Sequence, residues 1–204
     1  MVTCWQGVVP ALASLLAAYR DLILEWNQKF NLTALRDAEA IDSRLIAESL
    51  RLAPFLPSGA NLSAIDIGTG SGIPGLPLAI VRPDVAFTLV DSTGKKVRFI
   101  ELAVETLGLA NVTAIHQRSE LLAHDPGQRE RYDIALARAV TQLAALAELV
   151  LPFLRVGGLT LLPKGEDSLA EVDQARPAIE ILGGTLKSAD LLPNAPCCGV
   201  TRLV

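Results

Sequence analysis

Four glycines lie within AIDIGTGSGIPGL, the stretch from Ala64 to Leu76. The stretch begins with apolar residues that end in the acid Asp66, and the glycines lead into a second apolar segment. This order is typical of a buried strand, a tight turn and the first turn of a helix. Glycine has no Cβ and tolerates positive φ, so a ligand can lie against the backbone amides of such a turn. The stretch therefore predicts a site for a nucleotide-like ligand.

Two classes of ligand fit this glycine pattern. Gly70, Gly72 and Gly75 satisfy the G-x-G-x-x-G spacing of dinucleotide-binding folds. The acid Asp91 follows about 20 residues further on, at the spacing of a carboxylate that binds ribose hydroxyls. An NAD-binding oxidoreductase is therefore one interpretation of the motif.

Three features favour S-adenosylmethionine instead. Asp66 ends the first strand, where a carboxylate would attract the ammonium group of the methionine portion but would repel a pyrophosphate. Pro74, in the predicted first helical turn, supplies no amide proton to a phosphate. The polar run RSE at 118–120 follows the third predicted strand, where it would meet an adenine edge. These features favour a methyl donor as the ligand.

Strands and helices alternate along most of the chain and position this turn. The predicted strands cover residues 63–67, 86–91, 112–116, 132–137 and 158–163. The predicted helices cover residues 74–82, 95–108, 141–155 and 168–182. Short apolar strands separated by helices are typical of a parallel sheet covered on both faces, so the fold class is α/β. Residues 185–190 and 200–204 would add a last hairpin.

The beginning of the chain has a helical pattern. Apolar residues recur at helical spacing from Pro10 to Asn27, and a second helix is predicted over 41–55. We therefore predict an N-terminal helical appendage over residues 1–57 and a donor-binding domain over 58–204.

The composition limits the other classes of function. The 204 residues carry a net charge of −4, and half of them are apolar. The negative total argues against a generally basic nucleic-acid binder, so any polyanion must meet a local basic patch. Cys4, Cys197 and Cys198 show no metal-ligand spacing with the two histidines, and no metal is expected. With no membrane span or signal peptide in the pattern, we expect a cytoplasmic protein.

Six segments together carry a resemblance to a known family. They are WNQKFNLTALRD (26–37), DIGTGSGIPGLPLAIVRPD (66–84), FTLVDSTGKKVRFI (87–100), RSE (118–120), YDIALARAV (132–140) and LLPKG (161–165). In order and spacing they resemble the glucose-inhibited division protein B family, bacterial methyltransferases that act on a guanine N7 of 16S ribosomal RNA. The resemblance implies S-adenosylmethionine as cofactor and a Rossmann-like class I methyltransferase fold. It also implies that the last hairpin is antiparallel and completes a mostly parallel seven-stranded sheet.

The resemblance also implies roles for individual residues. Gly68 and Ile73 would line the donor pocket, and Arg138 would lie where the donor and the target base meet. Asp91 would hold the ribose, with Ser119 and Glu120 bordering the adenine. The complete predicted cofactor set is Asp66, Gly68, Gly70, Gly72, Ile73, Pro74, Gly75, Asp91, Ser92, Ser119, Glu120 and Arg138.

This chain departs from the family pattern at two places. The family's second helix usually has a His shortly before Asp-Ser-Leu, whereas this chain has Leu45 before Glu48-Ser49-Leu50. The family's chains also normally continue past the point corresponding to Val204, so a short final edge strand is expected.

The chemistry of guanine N7 fits the scarcity of acid–base residues. N7 carries an in-plane lone pair and no proton, so it can attack the sulfonium methyl group directly, and no general base is required. Alignment alone can remove about 7 to 11 kcal/mol of such a barrier. Arginine is the usual donor to the O6 edge of guanine, so we assign base positioning to Arg138, the one predicted catalytic residue. A structural salt bridge to Asp133 or Glu101 is the competing interpretation of this arginine.

Basic residues after successive strands predict an RNA-binding rim. Its predicted members are Lys95, Lys96, Arg98, Arg118, Lys164 and Arg36. RNA binding through such a rim should weaken steeply with salt. The family resemblance implies 16S ribosomal RNA or the small ribosomal subunit as partner, and because the sequence shows no heptads and no obvious apolar surface helix we expect a monomer. A methyltransferase with a small-molecule or protein substrate, or a non-catalytic ribosome-assembly factor, would also fit the sequence pattern.

Overall fold

The N-terminal helices come first in the computed structural model, which describes residues 8–193, 195 and 198–204. Helix α1 (Pro10–Asn27) has proline in its first turn, where no amide proton is needed. The second helical segment begins after Asp37, whose side chain accepts a hydrogen bond from the Ala40 amide at 2.8 Å. It comprises α2 (Ala38–Ile41), a π-helical turn (Asp42–Ala47) and α3 (Glu48–Leu50), and a 3₁₀ turn (Ala53–Phe55) follows.

Five parallel strands form the central sheet in the order β3-β2-β1-β4-β5. The strands are β1 (Leu62–Ile67), β2 (Val85–Asp91), β3 (Val112–His116), β4 (Tyr132–Ala137) and β5 (Leu154–Leu161). The helices that follow β1 are α4 (Gly75–Val81), α5 (Gly94–Leu107), α6 (Ser119–Leu122), α7 (Leu143–Val150) and α8 (Leu169–Ile181), with a 3₁₀ turn at Leu151–Phe153. The α/β prediction is therefore confirmed.

The strand order reverses direction at β1, and this point organises the site. From β1 the chain first builds outward through β2 and β3, and then returns to place β4 on the other side of β1. In the registers, Ile67 pairs with Val90 of β2 and with Ala137 of β4. The residues just after these strands therefore meet at one edge, which is where open parallel sheets bind ligands.

Each face of the sheet is covered by its own hydrophobic cluster. One cluster joins β-strand residues to α4, α5 and the N-terminal helices, including the fully buried Leu16, Tyr19 and Ile23 of α1. The other joins the opposite face to α7 and α8. The N-terminal helices thus share a core with the sheet.

The C-terminal strands do not extend the central sheet. Strands β6 (Pro163–Gly165), β7 (Asp190–Leu191) and β8 (Thr201–Leu203) form a separate antiparallel sheet in the order β6-β8-β7. The prediction of one seven-stranded sheet is therefore wrong for the described part of the chain, while the antiparallel pairing of the last hairpin is correct. Pro163 lacks an amide proton, so it cannot donate to a ladder hydrogen bond where β5 has just ended.

Several predicted boundaries also shift. Strand β5 begins at Leu154, earlier than expected, because the chain between α7 and β5 makes only a 3₁₀ turn instead of continuing the predicted helix over 141–155. The short helix α6 begins at Ser119, where the sequence predicted only a polar run. Within the described residues, no helix is both long and apolar enough to cross a membrane.

Candidate active site

The side chain of Asp66 is hydrogen-bonded to both ends of the glycine turn. Its side chain is fully buried, and its Oδ2 accepts hydrogen bonds from the Thr69 hydroxyl at 2.6 Å and the Gly75 amide at 2.9 Å. Its second oxygen, Oδ1, is buried and has no hydrogen-bond partner. The carboxylate therefore joins the beginning of the turn to the start of α4.

Burial raises the pKa of Asp66 to about 7. The hydrogen bonds from Thr69 and Gly75 oppose this shift, and the negative charge of Asp91 adds to it. A positively charged or neutral donor that reached Oδ1 would stabilise the ionised carboxylate. The methionine ammonium proposed from the sequence is a donor of this kind.

The glycines of the turn fall into two groups. Gly75 allows close packing, because a Cβ there would collide with a Leu89 methyl carbon and lie 2.8 Å from Asp66 Oδ2. Gly70 has a φ of +63° and faces open space, since only the Gly68 carbonyl oxygen lies within 4 Å of its would-be Cβ. Gly70 is therefore where a ligand can approach the backbone.

The remaining predicted residues of the turn are packed against neighbours. At Gly68, with φ +67°, a Cβ would lie 2.7 Å from a Val140 methyl carbon, so the loop after β4 covers this glycine. Gly72 packs against Leu76 in the same way, and Ile73 is buried. Pro74 holds the N-cap position of α4, one residue before the helix begins, not its first turn.

Asp91 binds the turn from the neighbouring strand. Its Oδ2 accepts the Gly70 amide at 2.9 Å, and its Oδ1 accepts the Thr93 amide at 2.8 Å. Lys96 Nζ lies 3.6 Å from Oδ2. A carboxylate has about four acceptor sites, so these bonds leave capacity for ribose hydroxyls. Ser92, next to Asp91, is exposed.

The predicted adenine-edge residues have other partners in the structure. The Ser119 hydroxyl donates to the Leu149 carbonyl at 2.8 Å, which ties α6 to α7. Glu120 is exposed and forms an ion pair with Arg118 at 2.7 Å. The hydrogen bond from Arg118 lowers the pKa of Glu120. Their contact with an adenine stays a prediction.

A cavity of about 270 Å³ lies beside the end of the glycine turn. It is bounded by α3, by the chain after β4 and by the small C-terminal sheet. Its lining residues are Glu48, Ser49, Leu52, Pro74, Arg138, Ala139, Pro163, Lys164, Gly165, Val200 and Thr201. Pro74 connects the cavity to the glycine turn, so a molecule in the cavity would lie next to a bound donor.

Arg138 lies in the cavity wall with one side of its guanidinium group unsatisfied. Its Nη2 donates to the Arg44 carbonyl at 2.7 Å, whereas its buried Nη1 has no hydrogen-bond partner. Burial lowers the pKa of Arg138, and the charge of Glu48 partly offsets that shift. The competing salt bridge to Asp133 is absent among the described residues, because Asp133 pairs with Arg155 at 2.5 Å. Arg138 therefore keeps one buried guanidinium nitrogen without a partner among the described residues, and its contact with a base stays a prediction.

Glu48 is a candidate that the sequence analysis did not select. Its Oε2 accepts from Arg51 at 3.0 Å and from the Thr201 hydroxyl at 2.7 Å, while no hydrogen bond to Oε1 is found among the described residues. The signal was present in the sequence, because Glu48 stands where the family usually has the Asp of Asp-Ser-Leu. An acceptor and a donor thus line one cavity.

Lys164 also lines the cavity but already has partners. Its Nζ donates to the Thr141 carbonyl at 2.8 Å and pairs with Glu171 at 2.7 Å, and its side chain is only 13% exposed. Although burial raises the pKa of Glu171, the hydrogen bonds from Lys164 and the Leu143 amide lower it overall. These contacts give Lys164 a structural role between β6 and α8.

The other predicted RNA-binding residues are accessible to different degrees. Lys95 and Arg98 are exposed on α5 and make no ion pair among the described residues. Lys96 is half-buried beside Asp91, and Arg118 pairs with Glu120. Arg36 is exposed and donates to Asn31 Oδ1 and to the Thr33 carbonyl. RNA contact by this rim stays a prediction.

No group of three His, Cys, Asp or Glu residues in the described ranges is placed to hold a metal ion. His116 Nε2 lies 3.1 Å from the Ser92 carbonyl oxygen, and its ring lies against Gly94. Cys4 and Cys197 lie outside the described residues, and the Cys198 thiol lies 3.8 Å from the Ser43 carbonyl oxygen.

Solved structures with the same architecture identify the class of fold. The chain resembles precorrin-6y C5,15-methyltransferase from Geobacter metallireducens, with a TM-score of 0.54 and 14% identity over 85% of this chain and 88% of the other. It also resembles TYW2 from M. jannaschii in complex with AdoMet, with a TM-score of 0.59 and 18% identity over 78% of this chain and 72% of the other. The fold is that of a Rossmann-like methyltransferase, as the sequence predicted.

Sequence comparisons then identify the family. The GidB family, described as rRNA small subunit methyltransferase G, matches residues 12–195, and the chain belongs to this family. A relative from Acetivibrio thermocellus named Ribosomal RNA small subunit methyltransferase G is 42% identical over 92% of this chain and 76% of its own length. One from Roseiflexus sp. with the same name is 48% identical over 82% of this chain and 71% of its own length.

Family membership also decides between the two cofactors that the glycine motif left open. S-adenosylmethionine is confirmed as the cofactor, and a dinucleotide is not supported. The residues of the turn fit this molecule. Gly70 leaves open space for it, Asp91 retains acceptor sites for a ribose, and Asp66 Oδ1 lacks a donor.

Proposed function

We propose that this protein methylates N7 of a guanine in 16S ribosomal RNA, using S-adenosylmethionine. Family membership supports the ribosomal RNA substrate, because relatives 42% and 48% identical carry the name Ribosomal RNA small subunit methyltransferase G. The observation that supports guanine is the unsatisfied Nη1 of Arg138 in a cavity next to the donor turn.

The donor would be held by the turn and by the two acids around it. Gly70 would let it approach the backbone, and Asp91 would accept its ribose hydroxyls. Asp66 would receive the ammonium group at Oδ1, which would satisfy the orphaned oxygen and favour the ionised carboxylate. When bound, S-adenosylmethionine supplies an electrophilic methyl group on a positively charged sulfur.

The target base would be selected by a hydrogen-bond donor and a hydrogen-bond acceptor in the cavity wall. Arg138 would donate to guanine O6, which is the commonest specific contact between arginine and this base. Glu48 Oε1 would accept from the N1 and N2 protons of guanine. Adenine has the reverse pattern, with an amino group in place of O6 and an unprotonated N1, so both contacts would fail.

The reaction then requires alignment and no proton transfer. The N7 lone pair forms the new nitrogen–carbon bond as the carbon–sulfur bond breaks, and the positive charge passes from sulfur to the imidazole ring of guanine. The products are 7-methylguanine and S-adenosylhomocysteine. Arg138 would fix the base in line with the methyl group, and its charge would repel the positively charged product.

The rim residues Lys95 and Arg98 would contact phosphates near the target base. Both are exposed on the helix that follows Asp91, on the donor side of the site. We further propose that the enzyme works as a monomer in the cytoplasm, where ribosomal subunits are available.

A methylation assay on small ribosomal subunits tests the proposal. Subunits from a strain that lacks the gene would be incubated with the protein and S-adenosylmethionine labelled in the methyl group. We expect one labelled 7-methylguanine in 16S ribosomal RNA, identified by mass spectrometry of nuclease fragments. Wild-type subunits, already methylated, are the matched control and should take up little label.

Two results would contradict the proposal. Label on a different atom or nucleoside would show that the target is not guanine N7. Full retention of every 7-methylguanine in the deletion strain, together with no uptake of label, would show that another enzyme performs the reaction.

A further inference from the structure

Helix α1 makes a hydrogen bond to the backbone of the glycine turn. The Tyr19 hydroxyl donates to the Ser71 carbonyl at 2.5 Å, across 52 positions of sequence, and the Tyr19 side chain is fully buried. Ser71 lies between Gly70, where a ligand can approach the backbone, and Gly72. A residue of the N-terminal helices therefore holds the tip of this turn.

The turn needs external support because of its composition. Gly70 and Gly72 both have positive φ, and glycine loses more conformational freedom on ordering than any other residue. Within the turn, the Gly72 and Ile73 amides both donate to the Thr69 carbonyl at 2.9 Å. Among the described residues, no other side chain donates to the Ser71 carbonyl, so Tyr19 supplies a separate anchor.

The position of Tyr19 is itself fixed by the core. Its ring lies 6.5 Å from the ring of Phe99, centroid to centroid, at an angle of 34°. Phe99 belongs to α5, the helix that directly follows Asp91. Burial raises the pKa of the Tyr19 hydroxyl well above its usual range, so the hydroxyl is protonated and able to donate at neutral pH.

We propose that Tyr19 is a positioning residue for the methyl donor. By holding the Ser71 carbonyl, it keeps the Gly70 backbone in the orientation that the donor requires, so the donor does not have to order the turn when it binds. The proposal rests on the donor site described above and is independent of the RNA target.

Removing only the hydroxyl tests this role. In Tyr19→Phe the ring packing is kept and the Ser71 carbonyl loses its partner. We expect the Kd for S-adenosylhomocysteine, measured by calorimetry, to rise about tenfold. The KM for S-adenosylmethionine should rise similarly, while kcat at saturating donor stays within about twofold, since a bound donor restores the arrangement of the turn.

Tyr132→Phe is the matched control. Tyr132 is at the start of β4, at the opposite end of the strand from the site, and its hydroxyl bonds to the Gln128 side chain. Ile23→Val is a second control, because it loosens the packing of α1 without changing a hydrogen bond. Both should lower the melting temperature and leave the Kd within about twofold.

Amide hydrogen exchange gives an independent readout. In Tyr19→Phe the Gly72 and Ile73 amides should exchange faster, while the exchange rates of the central-strand amides are unchanged.

An unchanged Kd in Tyr19→Phe, or an equal rise of the Kd in Ile23→Val, would overturn the inference. If the wild type bound S-adenosylhomocysteine but methylated no RNA, only the proposed function would fail. A wild type without donor binding would overturn both.

Discussion

The donor side and the acceptor side of the site are built in different ways. The glycine turn comes from one short stretch plus Asp91, and nearly all of its polar groups are satisfied within the chain. The acceptor cavity is assembled from α3, the end of β4 and the C-terminal sheet, and Arg138 keeps an unsatisfied donor. The backbone of the donor side is therefore held by hydrogen bonds with the side chains of Asp66, Asp91 and Tyr19, whereas the wall of the acceptor cavity keeps a guanidinium nitrogen without a partner among the described residues.

Backbone strain follows the same division. On the donor side, positive φ falls on glycines, which adopt it without steric cost. On the acceptor side it falls on Ala139, with φ +54°, in the loop that lines the cavity directly after Arg138. Strain of this kind costs about 1 to 2 kcal/mol and concentrates at functional sites.

The largest expected effect concerns Asp66, whose Oδ1 has no hydrogen-bond partner among the described residues. The pKa of Asp66, about 7 in the fold against an ordinary value of 3.8, means that the folded state favours the neutral acid. The neutral acid therefore adds to the free energy of unfolding. This stabilisation is fully present below about pH 4 and is lost as the pH rises through 7. The loss is about 1.4 kcal/mol per pH unit, or about 4 kcal/mol in total.

Asp66→Asn removes this titration while keeping an oxygen that can accept from Thr69 and Gly75. The variant should therefore match the wild type near pH 4 and exceed its free energy of unfolding at pH 8, measured by urea denaturation across this range. It should also bind S-adenosylhomocysteine more weakly at pH 8, because the ammonium group loses its counter-charge. Parallel stability–pH curves for the two proteins would show that Asp66 does not titrate in this window.

The second prediction separates packing from ligand access within the glycine turn. Gly75→Ala forces a Cβ against Leu89 and Asp66, so we expect the free energy of unfolding to fall by about 3 kcal/mol. Gly70→Ala meets open space and carries only the cost of positive φ, about 1 kcal/mol. Its main effect should be weaker donor binding.

Gly108→Ala is the control for Gly70→Ala. Gly108 caps α5 with a φ of +65° and also has open space around its would-be Cβ. Urea denaturation should show equal losses of stability for these two variants, and calorimetry should show weaker donor binding for Gly70→Ala alone. Equal donor affinity in the two would mean that Gly70 does not face the donor.

The same division explains what could be predicted from the sequence. The donor side could be predicted because its strand, glycines and acid are contiguous, and Asp91 follows at a fixed spacing set by one βαβ unit. The hydrogen bonds of Asp66 could not be predicted, because they depend on how α4 packs onto the sheet. The hydrogen bond of the Tyr19 hydroxyl could not be predicted either. The spacing of apolar residues predicts that Tyr19 is buried, but it does not show which group the hydroxyl contacts.

The acceptor side could be predicted only in part. Arg138 was predicted because it follows a strand. Glu48 was not selected, because the spacing of apolar residues does not show which way its helix faces the cavity. RNA contact by Lys164 stays a prediction, and its ion pair with Glu171 was not foreseen because the packing of α8 brings that partner close. The separate C-terminal sheet was missed because strand patterns do not specify which sheet a short hairpin joins.

The third prediction tests whether Arg138 serves the base or the donor, since the sequence assigned it to both. Arg138→Ala should lower kcat/KM for RNA methylation by about 10- to 100-fold, because a charged hydrogen bond to guanine O6 is lost. The Kd for S-adenosylhomocysteine should change by less than about twofold. Arg138→Lys keeps the charge but not the planar donor, so it should recover only part of the activity.

Arg176→Ala is the control for the loss of an arginine. Arg176 is on α8, away from the cavity, and pairs with Asp173 on the surface. It should have full activity in the same assay. If Arg138→Ala weakened donor binding as much as methylation, the division between the two sides would not hold for this residue.

The smallest expected effect concerns the predicted RNA-binding rim, whose members Lys95 and Arg98 are on the helix that follows Asp91. Lys95 is exposed beside the donor site, and removing one phosphate contact should weaken RNA binding about threefold and reduce the salt slope by about 0.7 to 0.9. Lys187→Ala, which removes an exposed lysine of the segment between α8 and β7, is the control of equal charge. Filter binding over a range of salt concentrations would compare Lys95→Ala with this variant. Identical slopes would mean that net charge, and not the position of Lys95 beside the donor, governs RNA affinity.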